Sequence, residues 1–575
     1  MQCWRVLLAR FVDAVELMAS SSPLASGNIT HDHNRTGKRD DSFRKEDRAV
    51  MIIQIVARDV KTSDVKPFTT SGFLIRFVML VVAILAATNS SLSASERPPN
   101  IVFILIDDMG WKDLGCTGSK YYQTPNVDRL ASQGIRFENS YACAPVCSPS
   151  RGAILSGKFP GRTAFTNVFG KNTTPDDRLY RVSKSPGGKN QFLEGLHRRA
   201  LPLTEVTFAE VLAEAGYKTA MFGKWHCGYE RPHRPENRGF QLAEGYRPAP
   251  TGLGHWGKDV IGSVHGLDNL ELKEYVPEHL TRRAVEFIEK NKDRPFLLYL
   301  SHYIVHGPIQ GKPEKVKKYQ GIQPTDQDNP ENAAMVESVD DSVGMVMATL
   351  DRLDLTDNTL VIFTSDNGGV SSRATSSYPL MGGKSFPYEA GMRVPLIVRW
   401  PNRVKKGQIE KTRVTGADLY PTFLDASGLP LNPKQHRDGQ SLVPLLTLGE
   451  KLPKREIVVH FPHYTHATGP FASLIYDDWK LIRFYNDDAG EFELFNLETD
   501  PYEQTNLASA EPAKLSELRQ RLTTWQRSAD AKPPRVNPDY QAESKPQKNR
   551  LFSRSLALKE RQVAEQKLAR SNADR

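Results

Sequence analysis

The sequence has few cysteines and no apolar run long enough to span a bilayer. Its five cysteines are too few and too scattered for a disulfide framework: Cys3, Cys116, Cys143, Cys147 and Cys227. Cys143 and Cys147 lack the second cysteine or histidine pair of a structural zinc site, and Cys143 is interpreted as a loop residue. The apolar run at 77–87, FVMLVVAILAA, falls well short of the roughly 20 residues of a membrane-spanning helix. We therefore expect no integral membrane span.

The central part of the chain also lacks an excess of charge. The formal net charge is +9, but residues 531–575 carry a surplus of six positive charges, residues 1–70 a surplus of two, and Arg76 one. Residues 77–530 are therefore neutral, which argues against a basic nucleic-acid surface, and no nucleic-acid partner is expected. Residues 531–575 are interpreted as a basic tail, solvated or partly helical, with tethering to a polyanion as an alternative.

An export signal is predicted in an unusual place. The apolar run follows basic residues and precedes TNSSLSASERPP, which is the order of a signal peptide. We assign residues 73–95 to the signal peptide, with a buried helix as the alternative. Residues 1–72 are interpreted as a non-native or cleaved leader, because a natural start is expected later, for example at Met51. The protein is then expected to be exported, to the periplasm or out of the cell.

Five apolar runs that end abruptly at polar residues predict the fold class. They are NIVFILIDDMGW at 100–111, KTAMFGKWHCG at 218–228, PFLLYLSHYIVHGP at 295–308, TLVIFTSDNGG at 359–369 and VPLIVRWP at 394–401. Continuous apolar runs of this length predict strands buried on both faces, as in a mainly parallel sheet. Helical patterns lie between them, for example after Thr207, which has capping-box spacing with Glu210. Alternating strands and helices predict an α/β fold.

Polar side chains close four of these runs. In α/β sheets ligands bind beyond the carboxyl ends of the strands, so the closing residues are expected at one edge of the sheet. They are Asp107 and Asp108, Lys224 and His226, His302 or His306, and Asp366 and Asn367. Each alone is typical of a turn, a surface or a structural residue. Their recurrence at the same place in successive units favours a common site.

This edge combines oxygen ligands with cations. Three carboxylates and one amide form a hard oxygen cage that suits Ca²⁺ or Mg²⁺ rather than zinc. The nearby cations are Lys224, His226, His306, Arg151 and Lys384. A metal surrounded by cations needs an anionic ligand, so the pattern predicts a site for a phosphate or sulfate ester.

The segment CSPSRGAILSG predicts a helix that begins beside a cysteine. Ser148 and Pro149 fit the N-cap and first helical positions. Cys147 then lies at a helix N-terminus, where the dipole favours an anion and is expected to lower the pKa of the thiol. Arg151 lies in the same end of the helix, where a cation is costly unless an anion is near.

Together these motifs resemble the type I sulfatase family of the alkaline phosphatase superfamily. CSPSRGAILSGKFPGR resembles the signature Cys/Ser-x-Pro/Ala-x-Arg, whose first residue is converted to Cα-formylglycine, and GKWHCG resembles the second signature. HYIVHGP, FTSDNGG and GGKSFPYEAGMRVPLIVRWP resemble further family segments. The similarity runs from about Pro98 to Leu507 and is greatest to the arylsulfatase A and N-acetylgalactosamine-6-sulfatase group.

The resemblance implies a large mixed, mainly parallel sheet sandwiched by helices, then a smaller C-terminal antiparallel sheet plus a helix. We assign residues 96–452 to the catalytic domain, 453–530 to the C-terminal subdomain and 531–575 to the tail. The sequence agrees, since SLIYDDWKLIRFY predicts a hairpin that turns at Asp477 and Asp478.

The resemblance also implies roles for the site residues. Ca²⁺, with Mg²⁺ as the alternative, would be held by Asp107, Asp108, Asp366, Asn367 and modified Cys147. Hydrated formylglycine would attack sulfur, release the alcohol and leave a covalent sulfo-enzyme, from which sulfate is eliminated with His226 as the proton acceptor. Arg151 and Lys224 would hold the formylglycine. Lys384 and His306 would contact the sulfate and protonate the leaving oxygen.

The activity so implied is hydrolysis of a sulfate ester on a sulfated carbohydrate or an aryl sulfate. A formylglycine-generating maturation enzyme would be a partner that acts on Cys147. One alternative is a phosphodiesterase or phosphonate hydrolase of the same superfamily. The other is a non-catalytic binder of sulfated glycans, which would follow if Cys147 stays unmodified.

Overall fold

The computed structural model describes residues 97–168, 180–181, 190–193, 195–247, 254–370, 375–485, 491–541 and 549–573. The leader and signal peptide predicted at 1–72 and 73–95 lie outside the described residues. No helix within the described ranges is long and apolar enough to cross a membrane.

An eight-stranded sheet forms the centre of the described chain. Its strands are β1 (Asn100–Ile106), β2 (Ile135–Phe137), β3 (Lys218–Gly223), β4 (Leu242–Glu244), β5 (Phe296–His302), β6 (Thr359–Ser365), β7 (Leu396–Arg399) and β8 (Gln408–Glu410). The spatial order is β8-β2-β7-β6-β1-β5-β3-β4. Strand β7 runs antiparallel to both neighbours, and the other paired strands run parallel. The sheet is mixed and mainly parallel, as expected.

Helices cover both faces of this sheet. They are α1 (Pro125–Ser132), α2 (Cys147–Ser156), α3 (Phe208–Glu214), α4 (Val276–Asn291), α5 (Pro313–Gln320), α6 (Pro330–Arg352), α7 (Leu419–Ala426) and α8 (Val443–Leu448). Alternate residues of β1 point into opposite cores: Val102 and Ile104 pack with α1, α4, α5 and α6, whereas Ile101 and Phe103 pack with α2, α3, α7 and α8. A strand buried on both faces needs apolar residues throughout, which explains the continuous runs in the sequence.

Helix α3 begins with the predicted capping box. The Thr207 hydroxyl accepts a hydrogen bond from the Glu210 amide at 3.1 Å, and the Glu210 carboxylate accepts one from the Thr207 amide at 2.7 Å. Two amides at the helix N-terminus are thereby satisfied.

A second, antiparallel sheet follows, as expected. It consists of β9 (Ile457–Phe461), β10 (Phe471–Tyr476), β11 (Trp479–Phe484) and β12 (Phe492–Asn496), and helix α9 (Pro512–Ser528) packs on it. The β10–β11 hairpin turns at Asp477, whose φ of 51° is compatible with a tight turn. The buried Lys480 of β11 forms ion pairs with Glu389 at 2.9 Å and Glu503 at 2.8 Å. The pair with Glu389 ties the small sheet to the segment before β7.

The basic tail forms helix α10 (Arg550–Ala573), and this helix is packed rather than solvated. Ser553 and Ala557 are fully buried. Arg550 and Arg554 reach the buried carboxylate of Glu493 at 3.4 and 3.5 Å. The helix agrees with the expectation of a partly helical extension, whereas the alternative of a solvated extension is wrong, because basic residues of the tail have acidic partners distant in sequence.

Candidate active site

The carboxyl ends of adjacent strands bring the predicted metal ligands together. Asp107 and Asp108 follow β1, and Asp366 follows the neighbouring β6. Ligand atoms of these three carboxylates and of Cys147 all lie within 4.8 Å of one another. The parallel pairing of β1 with β6 places these residues side by side although about 260 positions separate them.

Helix α2 places Cys147 at the same point. The helix begins at Cys147 itself, with Val146 as the N-cap, two residues earlier than the expected start at Pro149 with Ser148 as the N-cap. The Cys147 Sγ atom lies 3.3 Å from Asp107 Oδ1 and 3.4 Å from Lys384 Nζ.

The expectation of a thiol with a lowered pKa is wrong for the unmodified residue. Burial raises the pKa of the Cys147 thiol, and the charge of Asp107 raises it further, against the opposing effect of Lys224. Desolvation of a thiolate outweighs the helix dipole at a position only 2% exposed. Unmodified Cys147 is therefore a protonated thiol and a poor nucleophile.

Arg151, a cation in the first turns of α2, is paired with two carboxylates. Its Nε donates to Asp366 Oδ2 at 2.7 Å, and its Nη2 lies 3.7 Å from Asp107 Oδ1. Its Nη1 donates to the Ser301 hydroxyl at 2.6 Å. Ser301 was not singled out from the sequence, although it too lies at the end of a strand, β5. It donates in turn to the carbonyl of Lys224 at 2.7 Å and so orients the guanidinium.

Two lysines pair with the first two carboxylates. Lys224 Nζ lies 2.5 Å from Asp107 Oδ2, and Lys384 Nζ lies 2.6 Å from Asp108 Oδ1. Burial opposes ionisation of both carboxyls, but the adjacent cations outweigh it and lower the pKa of each below its usual value. Burial instead raises the pKa of Asp366, even though Arg151 opposes this shift.

The oxygen atoms of this cluster are of the kind that bind a hard divalent cation. Asn367 donates from Nδ2 to Asp108 Oδ1 at 2.7 Å and to the Gly368 carbonyl at 3.0 Å. Its Oδ1 is buried and has no hydrogen-bond partner among the described residues. A buried acceptor oxygen beside three carboxylates is a ligand of the kind that Ca²⁺ and Mg²⁺ bind.

The charges of the site indicate what else it binds. Three buried carboxylates pair with three cations, Arg151, Lys224 and Lys384, so the negative and positive charges of these six groups cancel. A bound divalent cation would leave two positive charges in excess. Buried excess charge is costly unless an anion enters, so the arrangement suits an anionic substrate.

Two site residues have strained backbones. Asp108 has φ of 63° and His226 has φ of 59°, in the left-handed region that residues other than glycine rarely adopt. The Asp108 amide is held by Asp366 Oδ1 at 3.2 Å, and the Met109 amide by the Ser365 hydroxyl at 3.0 Å. The surrounding hydrogen bonds fix the direction in which the Asp108 carboxylate points.

The structure brings His306, and not His302, to the cluster. His306 Nε2 lies 3.7 Å from Asp108 Oδ2, and its side chain is 37% exposed, which leaves it accessible from solvent. His302 is fully buried, with Nε2 2.8 Å from the Ser342 hydroxyl of α6. For His226, burial and the charges of Lys224 and Arg151 lower the pKa well below its usual value. Its imidazole is therefore neutral near pH 7 and able to accept a proton.

His302 gives a testable pH dependence of stability. Burial lowers its pKa from 6.5 to about 4, so its contribution is complete above pH 6.5 and is lost as the pH falls towards 4. We expect His302→Asn to reduce the pH slope of the unfolding free energy in this range by up to about 1.4 kcal/mol per pH unit. Urea unfolding of the wild type and of His302→Asn at several pH values measures this slope. The variant His265→Asn, at an exposed histidine, is the control. Equal slopes in all three proteins would contradict the expectation.

Comparisons with known proteins agree with one another. Residues 99–429 match the family model described as Sulfatase, and residues 381–528 match the one described as N-sulphoglucosamine sulphohydrolase, C-terminal. The chain is 32% identical to human N-acetylgalactosamine-6-sulfatase over 379 residues, which cover 62% of this chain and 67% of that protein. It is 30% identical to a sulfatase of Formosa agariphila, over 81% of this chain and 94% of that protein.

A solved structure extends the similarity to the fold. Ps i-CgsB in complex with k-i-k-neocarrahexaose aligns with a TM-score of 0.64 at 26% sequence identity. The alignment covers 83% of this chain and 99% of the other.

Proposed function

Since this chain belongs to the sulfatase family and hydrolyses sulfate esters, we propose that it acts on a sulfated saccharide through formylglycine at position 147. The observation that carries the proposal is the convergence of three carboxylates and three cations on the side chain of Cys147. One similar protein is named N-acetylgalactosamine-6-sulfatase, and another was solved with an oligosaccharide. These two names support a saccharide as the substrate.

We further propose that Ca²⁺ is the resident metal. Asp107, Asp108, Asp366 and Asn367 would hold it, together with an oxygen of modified residue 147. When bound, the cation supplies positive charge that stabilises negative charge developing on the sulfate oxygens. The unpartnered Asn367 Oδ1 supports this assignment.

The first half of the proposed reaction transfers the sulfo group to residue 147. In the structure the Cys147 thiol stands in for the oxygens of the formylglycine hydrate. One hydroxyl of the hydrate would bond through its oxygen to the ester sulfur and release its proton. The bond from sulfur to the alcohol oxygen would break, and the alcohol would leave with a proton, so that one proton is released and one is taken up. His306, on the open side of the cluster, is the candidate donor of that proton, and Lys384 contacts the sulfate.

The second half releases sulfate. The remaining hydroxyl of residue 147 gives its proton to His226, whose lowered pKa leaves the imidazole free to accept it. The bond between carbon and the sulfate oxygen would break with its electron pair going to sulfate, and the aldehyde would re-form. Addition of one water to the aldehyde would restore the hydrate and complete the hydrolysis. A serine or a thiol at this position has no second hydroxyl and cannot release sulfate in this way.

Mass spectrometry of the peptide that spans position 147 tests the modification. In protein produced with a formylglycine-generating enzyme, we expect residue 147 to have lost the thiol sulfur and gained an aldehyde oxygen. Cys143 on the same peptide is the internal control and is expected to remain a thiol. A plain thiol at 147 together with turnover would contradict the mechanism, and a plain thiol without turnover would favour the glycan-binding alternative.

We also propose that the protein is exported, to the periplasm or out of the cell. The basic, apolar and small-polar order of residues 73–95 supports this.

A further inference from the structure

Helix α10 lies beyond both ranges that match the family models, and it packs along the body through a stripe of small residues. Ser553, Ala557, Ala564 and Ser571 are all buried. Their spacing of four, seven and seven residues puts them on one face of the helix. Small side chains let the helix approach its neighbours closely.

Polar contacts fix both ends of this helix. Near its start, Arg554 donates to the carbonyl of Gln504 at 2.7 Å and pairs with the buried Glu493 at 3.5 Å. Near its end, Lys567 pairs with Asp328 at 2.9 Å, and the Ser571 hydroxyl donates to the carbonyl of Pro324 at 2.5 Å. The helix therefore bridges the C-terminal sheet and the segment before α6.

The middle of α10 packs on the segment that leads to Lys384. The Arg561 guanidinium lies 5.8 Å from the ring centre of Tyr378 and 5.9 Å from that of Tyr502. The ammonium of Lys112, four residues after Asp108, lies 5.8 Å from the same Tyr378 ring. Tyr378 is thus contacted by cations of the tail and of the loop that follows β1.

The segment from Tyr378 to Lys384 ends in the active site. The Lys384 amide donates to the Gly369 carbonyl at 2.8 Å, and its ammonium lies 2.6 Å from Asp108 Oδ1 and 3.4 Å from the Cys147 sulfur. A displacement of this segment would move the Lys384 ammonium away from the reacting position.

We propose that Arg561 of α10 is a positioning residue for the active site, which holds Lys384 in place by packing on Tyr378. This inference rests on the proposed role of Lys384 at the sulfate.

A double-mutant cycle tests the inference. We expect Arg561→Ala to lower kcat/KM for a sulfate ester by about 3–10-fold, since two cation–ring contacts are lost. In a Lys384→Ala background the same change is expected to alter kcat/KM by less than about twofold, because the two residues act together. Arg561→Lys keeps a cation and should restore most of the activity. Lys559→Ala, exposed on the same helix, is the matched control.

Hydrogen exchange provides a readout that does not depend on turnover. In Arg561→Ala we expect faster exchange at the amides of Lys384 and Ser385, which bond to Gly369 and Pro145, and unchanged exchange in β1. An equal loss of activity in both backgrounds, or unchanged exchange at Lys384, would overturn the inference. If the wild type hydrolyses no sulfate ester, the proposed function fails, and the exchange measurement still decides whether Arg561 positions this segment.

Discussion

Replacing Cys147 by alanine is expected to reduce kcat/KM for sulfate esters by at least about 10⁴-fold, as loss of a nucleophile does in other enzymes. The variant keeps Lys384, which contacts position 147, and Arg151 and Lys224, which pair with carboxylates of the same cluster, so we expect it still to bind sulfate. Steady-state kinetics on sulfated saccharides and aryl sulfates measure the first effect, and product inhibition or calorimetry with sulfate measures the second.

Cys143→Ala is the matched control for this experiment. Cys143 lies four residues upstream, and its Sγ is 3.1 Å from the Thr415 hydroxyl in the core around the C-terminal sheet. We expect the kcat/KM of Cys143→Ala to stay within about twofold of the wild-type value, since the Cys143 side chain lies in this core and not at the reacting position. Retained turnover in Cys147→Ala would contradict the proposed mechanism.

The substrate panel also separates the enzymatic alternatives. Phosphate diesters and phosphonates with the same alcohol groups are expected to be poorer substrates than the sulfate esters. Faster hydrolysis of the phosphorus compounds would favour the phosphodiesterase or phosphonate hydrolase alternative.

The second large effect is expected from Asp366→Asn, which removes one carboxylate from the proposed metal cage. The loss of the bound cation removes several kcal/mol of transition-state stabilisation, so we expect kcat/KM to fall by about 10³-fold. Ca²⁺ at about 100 times its dissociation constant should stabilise the wild type by about 2.7 kcal/mol, and the variant by much less. Calorimetric unfolding with Ca²⁺ and with a chelator measures this difference without any assay of turnover.

Asp438→Asn is the matched control for the loss of a buried carboxylate. Asp438 is 2.8 Å from Arg162 Nε and lies outside the cluster of candidate metal ligands. We expect this variant to keep the Ca²⁺-dependent stabilisation of the wild type. If Ca²⁺ and the chelator leave the unfolding of the wild type unchanged, the proposed calcium site is wrong.

The sequence alone determined the fold class and the positions at which site residues occur. Strands buried on both faces require continuous apolar runs, and the residue types that close these runs are visible without a structure. Asp107 and Asp366 were identified in this way. The capping box at Thr207 and the hairpin at Asp477 were equally predictable, because each depends on residues a few positions apart.

Only the tertiary structure decided properties that depend on distant neighbours. Burial raises the pKa of the Cys147 thiol, whereas the local helix pattern suggested the opposite. The strand pattern left His302 and His306 open, the family resemblance favoured His306, and the structure shows that His306 reaches the cluster, because the path of the chain after β5 sets where each ring points. The tail packs on the body through Arg554 and Arg561, whose partners outside the tail lie at least 50 positions away. Desolvation and long-range pairing arise only when distant segments meet, and no local pattern of residues encodes them.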